Sequence, residues 1–505
     1  MELVKRARRR CTPVFAVALA AIGGCGAPQR AEPARDDRPA LVLLHATVVD
    51  PRTATPQRDV TIVVRGDRIV ALGPGATTPV PPRARVVDAT GKFVIPGLWD
   101  MHVHLVNRPT PALAEKLLLP LYLAHGVVGV RDMGSDFERI RALREGVARG
   151  ALIGPRIVAA GPFVDGPQPA APFVLPVTTD TEARAAVRTL VGGGADFVKV
   201  QAGLSRASFL AIAEESARAK IPFVGHVPEA IDAREVVDAG QRSIEHVSPA
   251  LTGDAGILLS CSREVVALRT ELLAIEAASA KEGADPISLR DRDRALKVRM
   301  IDTFDPAKCG DLFARMVAKG TRVVPTLIWS RQQLPIAATE AAPASPYAQA
   351  STRDRWREAR AGYLARSTAE DFARNARIAN ASSALVLALH RAGVPVLAGT
   401  DSFDAFVLPG QSLHEELALL VEAGLSPREA LSAATLGAAT FLGAANDRGL
   451  VAEGKLADLV VLDADPIADI HNVARVHAVM LRGVLSDRAE LDRILAGAAE
   501  AATTL

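Results

Sequence analysis

Apolar and polar positions change rhythm twice along the chain. From Leu41 the text runs in short apolar stretches broken by turn residues: "LVLLHATVVD", "VTIVVRGDRIVALG" and "ARVVDATGKFVIPG". Runs of this length, rich in Val and Ile and bounded by Gly and Asp, predict β-strands. The Arg65-Gly66-Asp67 tripeptide lies between two such runs, where Gly-Asp reads as a hairpin turn and not as an adhesion motif. Beyond Ile95 strand alternates with helix. Strands are predicted over residues 98–105, 127–133, 156–162, 197–200, 222–227, 243–247, 321–327 and 394–401, with Ala-rich helical text between most of them. After this, "RGLVAEGKLADLVVLDADP" and "VHAVMLRGVL" return to strand-like text.

Eight βα units predict an α/β fold with a (β/α)8 TIM-like barrel. The flanking strands predict a small β-sandwich built from the N- and C-terminal segments and interrupted by the barrel. The expected layout is 41–95 for the first part of the sandwich, 96–444 for the barrel, 445–490 for the second part and 491–505 for a C-terminal tail. Long insertions at about 254–320 and 330–385 follow barrel strands, so they belong at the barrel mouth, as a lid or as a solvated flap.

The stretch "IPGLWDMHVHL" otherwise reads as a buried strand, yet it carries two histidines. Side chains on a strand alternate faces, so His102 and His104 point the same way, as ligands of a shared cation would. Further candidates sit on the other strands. Lys199 is embedded in "ADFVKVQ", where an unpaired ammonium would be costly. His226 ends the fifth strand in "PFVGHVP", His246 the sixth in "SIEHV", and Asp401 the eighth in "VLAGTD". Active sites of such barrels are built from the C-terminal ends of strands, and these side chains lie at those ends. His45, His125, His390, His414, His471 and His477 have no such context and read as structural or surface residues.

Composition narrows the class. The chain of 505 residues is 49% hydrophobic and 23% charged, which is globular, and its aromatic content of 4% makes the core mostly aliphatic. Lys5, Arg6, Arg8, Arg9 and Arg10 precede the apolar run "VFAVALAAI", a signal-peptide pattern too short to span a bilayer. Ile22-Gly23-Gly24-Cys25 then resembles a bacterial lipoprotein signal, which implies removal of 1–24 and lipidation of Cys25. Residues 25–40, rich in Pro and charge, suit a flexible tether. The expected location is outside the cytoplasm, anchored to a bacterial membrane and facing the periplasm or the extracellular side. Without 1–24 the chain carries 54 Lys and Arg against 56 Asp and Glu, so no nucleic-acid partner is implied. Cys261 and Cys309 remain as an even pair, either disulfide-bonded or two separate buried thiols.

Together "PGLWDMHVH", "FVKV", "GHV", "EHV", "AGTD", "SLHEELALLVEAGLSPREALSAATLGAATFLG" and "GKLADLVVLDADP" resemble the amidohydrolase superfamily, in its imidazolonepropionase-like and prolidase-like branch, over residues 41–485. The resemblance implies two divalent metal ions, with zinc the best match to mixed nitrogen and oxygen ligands. It implies that Lys199 is carboxylated (N6-carboxylysine) and bridges them. By position, His102, His104, Lys199 and Asp401 would hold one metal, and Lys199, His226 and His246 the other. A metal-bridging hydroxide would attack, with Asp401 as the catalytic proton shuttle. The implied reaction is hydrolysis of a C–N bond in a small amide, a dipeptide or N-acyl amino acid. A cyclic amidase opening a lactam or imidazolone ring shares the same metals. A non-catalytic binding lipoprotein on this scaffold should have lost a ligand or the base, and all six residues remain. The chain departs from the branch after His226, where Val227-Pro228-Glu229 stands in place of an H-A-H-G pattern, so Xaa-Pro specificity does not carry over. Arg353, Arg355, Arg357, Arg360 and Arg366 in the second insertion could hold a substrate carboxylate.

Overall fold

The computed structural model describes residues 39–53, 55–106, 111–167, 173–249, 255–279, 281, 283, 285–337, 339 and 345–505. The expected signal segment, residues 1–24, Cys25 and nearly all of the expected tether lie outside the described residues.

Strands β1 (Leu41–Val48), β2 (Gln57–Arg65), β3 (Arg68–Pro74), β4 (Arg85–Asp88) and β5 (Phe93–Pro96) come from the three apolar runs near the start. The second set is β6 (Leu98–Val103), β7 (Val127–Asp132), β8 (Arg156–Ala159), β9 (Phe163–Asp165), β10 (Val174–Pro176), β11 (Val198–Val200), β12 (Phe223–Gly225), β13 (Ser243–Glu245) and β14 (Arg322–Val324). Strands β15 (Leu459–Leu462), β16 (Val476–Leu481) and β17 (Val484–Ser486) follow near the end. They join the first set in one eight-stranded sheet ordered β17-β16-β15-β5-β1-β2-β3, with β4 paired to β1. The joint is the antiparallel pair of β5 with β15. One face of this sheet buries Leu43, Ile62, Ile69, Val94, Leu459 and Met480 in a core of its own. The C-terminal residues form a helix, Arg488–Thr504.

The strands of the second set pair in parallel, as the alternation with helices predicts, in a three-stranded sheet β6-β7-β8 and a six-stranded sheet β10-β9-β11-β12-β13-β14. The eighth expected strand, 394–401, is not a ladder strand. It meets its neighbours through two bridges, Val396 with Val323 and Ser402 with Val103. Competing acceptors explain the interruption: the Ala398 amide donates to Ala433 O, and the Thr400 amide reaches the Asp100 carboxylate at 3.0 Å. Backbone bonds still hold the segment between β14 and β6, from Leu397 N to Val323 O at 2.9 Å and from Asp401 N to His102 O at 2.8 Å. Gly399 makes this approach feasible, because a Cβ there would lie 2.8 Å from His102 N. Strands β9 and β10 were not expected from the sequence. They follow β8 and extend the sheet beside the strand of Lys199.

The first insertion is helical, with Gly256–Ser260, Val265–Ser279, Pro286–Asp302 and Pro306–Lys319, and a Cys261–Cys309 disulfide ties its ends together with Cα atoms 5.0 Å apart. The second contains the helices Leu327–Gln333, Ala350–Arg366 and Ala369–Arg391. Among the described residues no helix is long and apolar enough to cross a membrane.

Candidate metal centre

His102 lies in β6, and Asp401 follows the bridged segment that runs beside it. The His102 Nε2 atom is 3.4 Å from Asp401 Oδ1, and the His104 Nε2 atom is 3.2 Å from the same oxygen. The ring of His246 stands 4.8 Å from that of His102, and the ring of His226 stands 4.9 Å from that of His246. One ligand atom each from His102, His246 and Asp401 fall within 4.8 Å of one another. Lys199 is buried in β11, and its charge acts on His102, His104 and His226. The structure therefore brings all six sequence-predicted residues to one end of the parallel strands.

The turns that present them are strained. His246 has φ of 66°, Asp401 of 61° and Thr326 of 48°, left-handed conformations that non-glycine residues rarely adopt. Each costs on the order of 1–3 kcal/mol, so the surrounding structure has to impose them.

Electrostatics fixes which atoms face inward. The His102 Nδ1–H donates to Glu245 Oε2 at 3.0 Å, and the His104 Nδ1–H donates to Gly134 O at 3.2 Å. His246 Nδ1 lies 2.7 Å from Thr326 Oγ1. With Nδ1 engaged outward, each ring offers Nε2 to the centre, the arrangement in which a histidine binds a metal. Burial, and then the charge of Lys199, press His226 well below the usual imidazole range, and burial does the same to His102, so both rings are neutral donors. Asp401 is held far below the usual carboxylate range: burial works against this, and the surrounding imidazoles, with His104 in contact with Oδ1, outweigh it. Nε2 atoms turned inward beside an ionised Asp401 carboxylate make a donor set that fits a cation.

Several residues behind the cluster escaped the sequence reading. Glu245 also accepts from Arg131 Nη2 at 2.7 Å, and Arg131 Nε donates to Met101 O at 2.6 Å. The Arg131 guanidinium carbon lies 5.6 Å from the centre of the Phe197 ring and 5.2 Å from that of Phe441. Asp100 takes Thr400 Oγ1 at 2.7 Å, and burial pushes its carboxyl up to about 7. Asp100 sits two residues before His102 on the same strand face, a spacing that could have revealed it. Glu245 and Arg131 left no such signal, because β7 and β13 belong to different sheets and only the folded chain brings these two residues together.

The remaining histidines are committed elsewhere. His45, His471 and His477 meet Asp59, Asp469 and Asp463, and His390 meets Glu429. The His414 Nε2–H donates to His125 O at 2.8 Å. Of the insertion arginines, Arg360 lies over the Phe406 ring at 4.7 Å, Arg353 donates to Ser345 O, Arg355 to Thr352 and Arg357 to Asp354. Arg366 lies close to Gly362 of its own helix. Trp356 of the same helix stacks against Phe403 and Phe406, just after Asp401.

The chain resembles known proteins along different parts of its length. It is 38% identical over 113 residues to an adenine deaminase from Rubrobacter xylanophilus, covering 22% of this chain and 18% of that protein. It thus spans less than a fifth of that curated relative. Among solved structures, bottromycin amidohydrolase superposes with a TM-score of 0.68 at 24% identity, over 93% of this chain and 92% of that one. An Xaa-Pro dipeptidase with bound methionine in its active site superposes with a TM-score of 0.64 at 20% identity, over 89% of this chain and all of that one. These likenesses show a shared fold. The pattern of the amidohydrolase family matches residues 93–328 and 335–485, and the chain belongs to that family.

Proposed function

We propose that this protein is a metal-dependent hydrolase that cleaves the C–N bond of a small amide, a dipeptide or an N-acyl amino acid. The observation that carries this reading is the set of three imidazoles tied outward through Nδ1, with two of their Nε2 atoms converging on Asp401. One cation would be held by His102, His104, Lys199 and Asp401, and a second by Lys199, His226 and His246, with Lys199 as its carbamate. Bound divalent metals, zinc by the donor set, would supply an acidified water and an electrophile for the scissile carbonyl. Asp401, ionised and close to His104, accepts the proton of the attacking water and returns it to the leaving amine. The helix 350–366 is seated by Trp356 against Phe403 and Phe406, in the segment just after Asp401.

The supporting fold is read as a (β/α)8 barrel closed by the segment 394–402, beside a sandwich made from both ends of the chain. The family match and the names of the solved neighbours, a dipeptidase and an amidohydrolase, support the reaction class. The disulfide supports an oxidising compartment, consistent with an exported, lipid-anchored protein.

Elemental analysis of the full-length protein expressed with zinc should find about two divalent metals per chain. Chelation should abolish cleavage in a screen of dipeptides, N-acyl amino acids and cyclic amides. A metal-free protein, or activity surviving chelation, would refute the reading, and turnover of cyclic amides alone would move the substrate to lactam or imidazolone rings.

A further inference from the structure

The helix Gln411–Glu422 lies behind the site and contributes no ligand, yet it buries a carboxylic acid completely. The Glu416 Oε2 atom accepts the Ile328 amide at 2.7 Å, and the carboxyl group also engages the Leu327 amide. These two amides open the short helix Leu327–Gln333. The residue immediately before them is Thr326, fully buried, β-branched and left-handed with φ of 48° and ψ of 47°. A β-branched side chain opposes that conformation, so something must impose it. The Thr326 hydroxyl in turn stands 2.7 Å from His246 Nδ1. A continuous path therefore runs from helix 411–422, through two backbone amides and one strained residue, to a candidate ligand.

We propose that Glu416 is a positioning residue for His246: by holding the Leu327 and Ile328 amides it keeps Thr326 left-handed, where the hydroxyl fixes the imidazole with Nε2 toward the metal. This rests on the reading of His246 as a ligand. The geometry of the path makes a definite distinction. If Glu416 only fills space, leucine of similar volume should replace it well. If it holds the amides, leucine leaves two buried donors unpaired and frees Thr326, whereas glutamine keeps an acceptor oxygen at the same reach.

Metal affinity of the full-length protein is measured by competition with a chromogenic zinc chelator, and the visible spectrum of the cobalt-loaded protein reports ligand geometry. Glu416→Leu and Thr326→Val should each weaken zinc binding by roughly 10- to 100-fold, the usual effect of losing a group that orients a ligand, and should change the cobalt spectrum alike. Glu416→Gln and Thr326→Ser should stay within a few-fold of wild type. Because both residues act on one path, the double variant Glu416→Leu/Thr326→Val should bind no more weakly than the worse single variant. Should Glu416→Leu fail to fold, Glu416→Asp decides, since its shorter side chain retracts the acceptor and should weaken zinc binding in the same way. Wild-type affinity in Glu416→Leu or Glu416→Asp, or losses that multiply in the double variant, would overturn the positioning role alone. A wild-type chain that takes up no zinc would overturn it together with the proposed function.

Discussion

Asp401 is the residue on which binding and chemistry meet, and they can be separated there. Asp401→Asn keeps a ligand oxygen and removes the proton acceptor, so the variant should retain most of its metal while kcat falls by about 10²-fold or more. Metal analysis alongside steady-state kinetics checks both halves; an unchanged kcat would place the base elsewhere. The six candidate ligands were legible in the sequence for a local reason. Strand alternation puts His102 and His104 on one face, and each of the others stands in a short apolar run at a predicted strand end. The groups that aim them were not legible. Glu245 reaches a histidine 143 residues away, and Thr326 one 80 residues away, pairings that no periodicity encodes. Sequence thus exposed the donor atoms and concealed what sets their tautomers.

Individual elements show where local pattern competes with tertiary context. Seven of the expected parallel strands appear as ladders, most of them shortened, and just beyond β6, β12, β13 and β14 stand His104, His226, His246 and Thr326, which shape the site. The bridged eighth segment lost its ladder because its amides serve Asp100 and a helix end. The helices of the first insertion were readable as helical text, but their anchorage was not, since the count of cysteines fitted bonded and free thiols equally. The disulfide closes a loop with a sequence separation of 48 residues. Loop-closure entropy assigns such a bond about 4 kcal/mol. Cys261→Ser/Cys309→Ser, with reduced wild type as a second measure, should therefore unfold the insertion earlier on heating, as protection of residues 256–319 from proteolysis will show. An unaltered cleavage temperature would mean that packing of the four helices suffices alone.

For the molecule as a whole, buried imidazoles shape the response to acid. Burial lowers His125, and it lowers His414 to about 3, both outside the candidate centre. The unfolded chain binds protons on such groups once pH falls below about 6.5, while the folded chain does not, so stability is lost as pH drops from neutrality. For His414 the loss at pH 5 is about 2 kcal/mol. Glu416, raised to about 8 by burial, acts with the opposite sign, its contribution being present in acid and declining as pH rises above the unfolded value. The difference between wild type and His414→Gln, which keeps a donor for His125 O, isolates one term: melting temperatures should converge between pH 7 and 5, and parallel curves would contradict the assignment. The mixed sheet has another consequence, concerning the order in which the chain is made. Strand β5 runs directly into the strand of His102, and it is held by β15 and by a Lys92–Asp463 contact that spans 371 residues. A ribosome has therefore written every candidate ligand well before it writes the strand that seats the first of them. A premature stop near residue 455 would encode the whole set of donors and still leave β5 paired on one side only, through its short parallel ladder with β1.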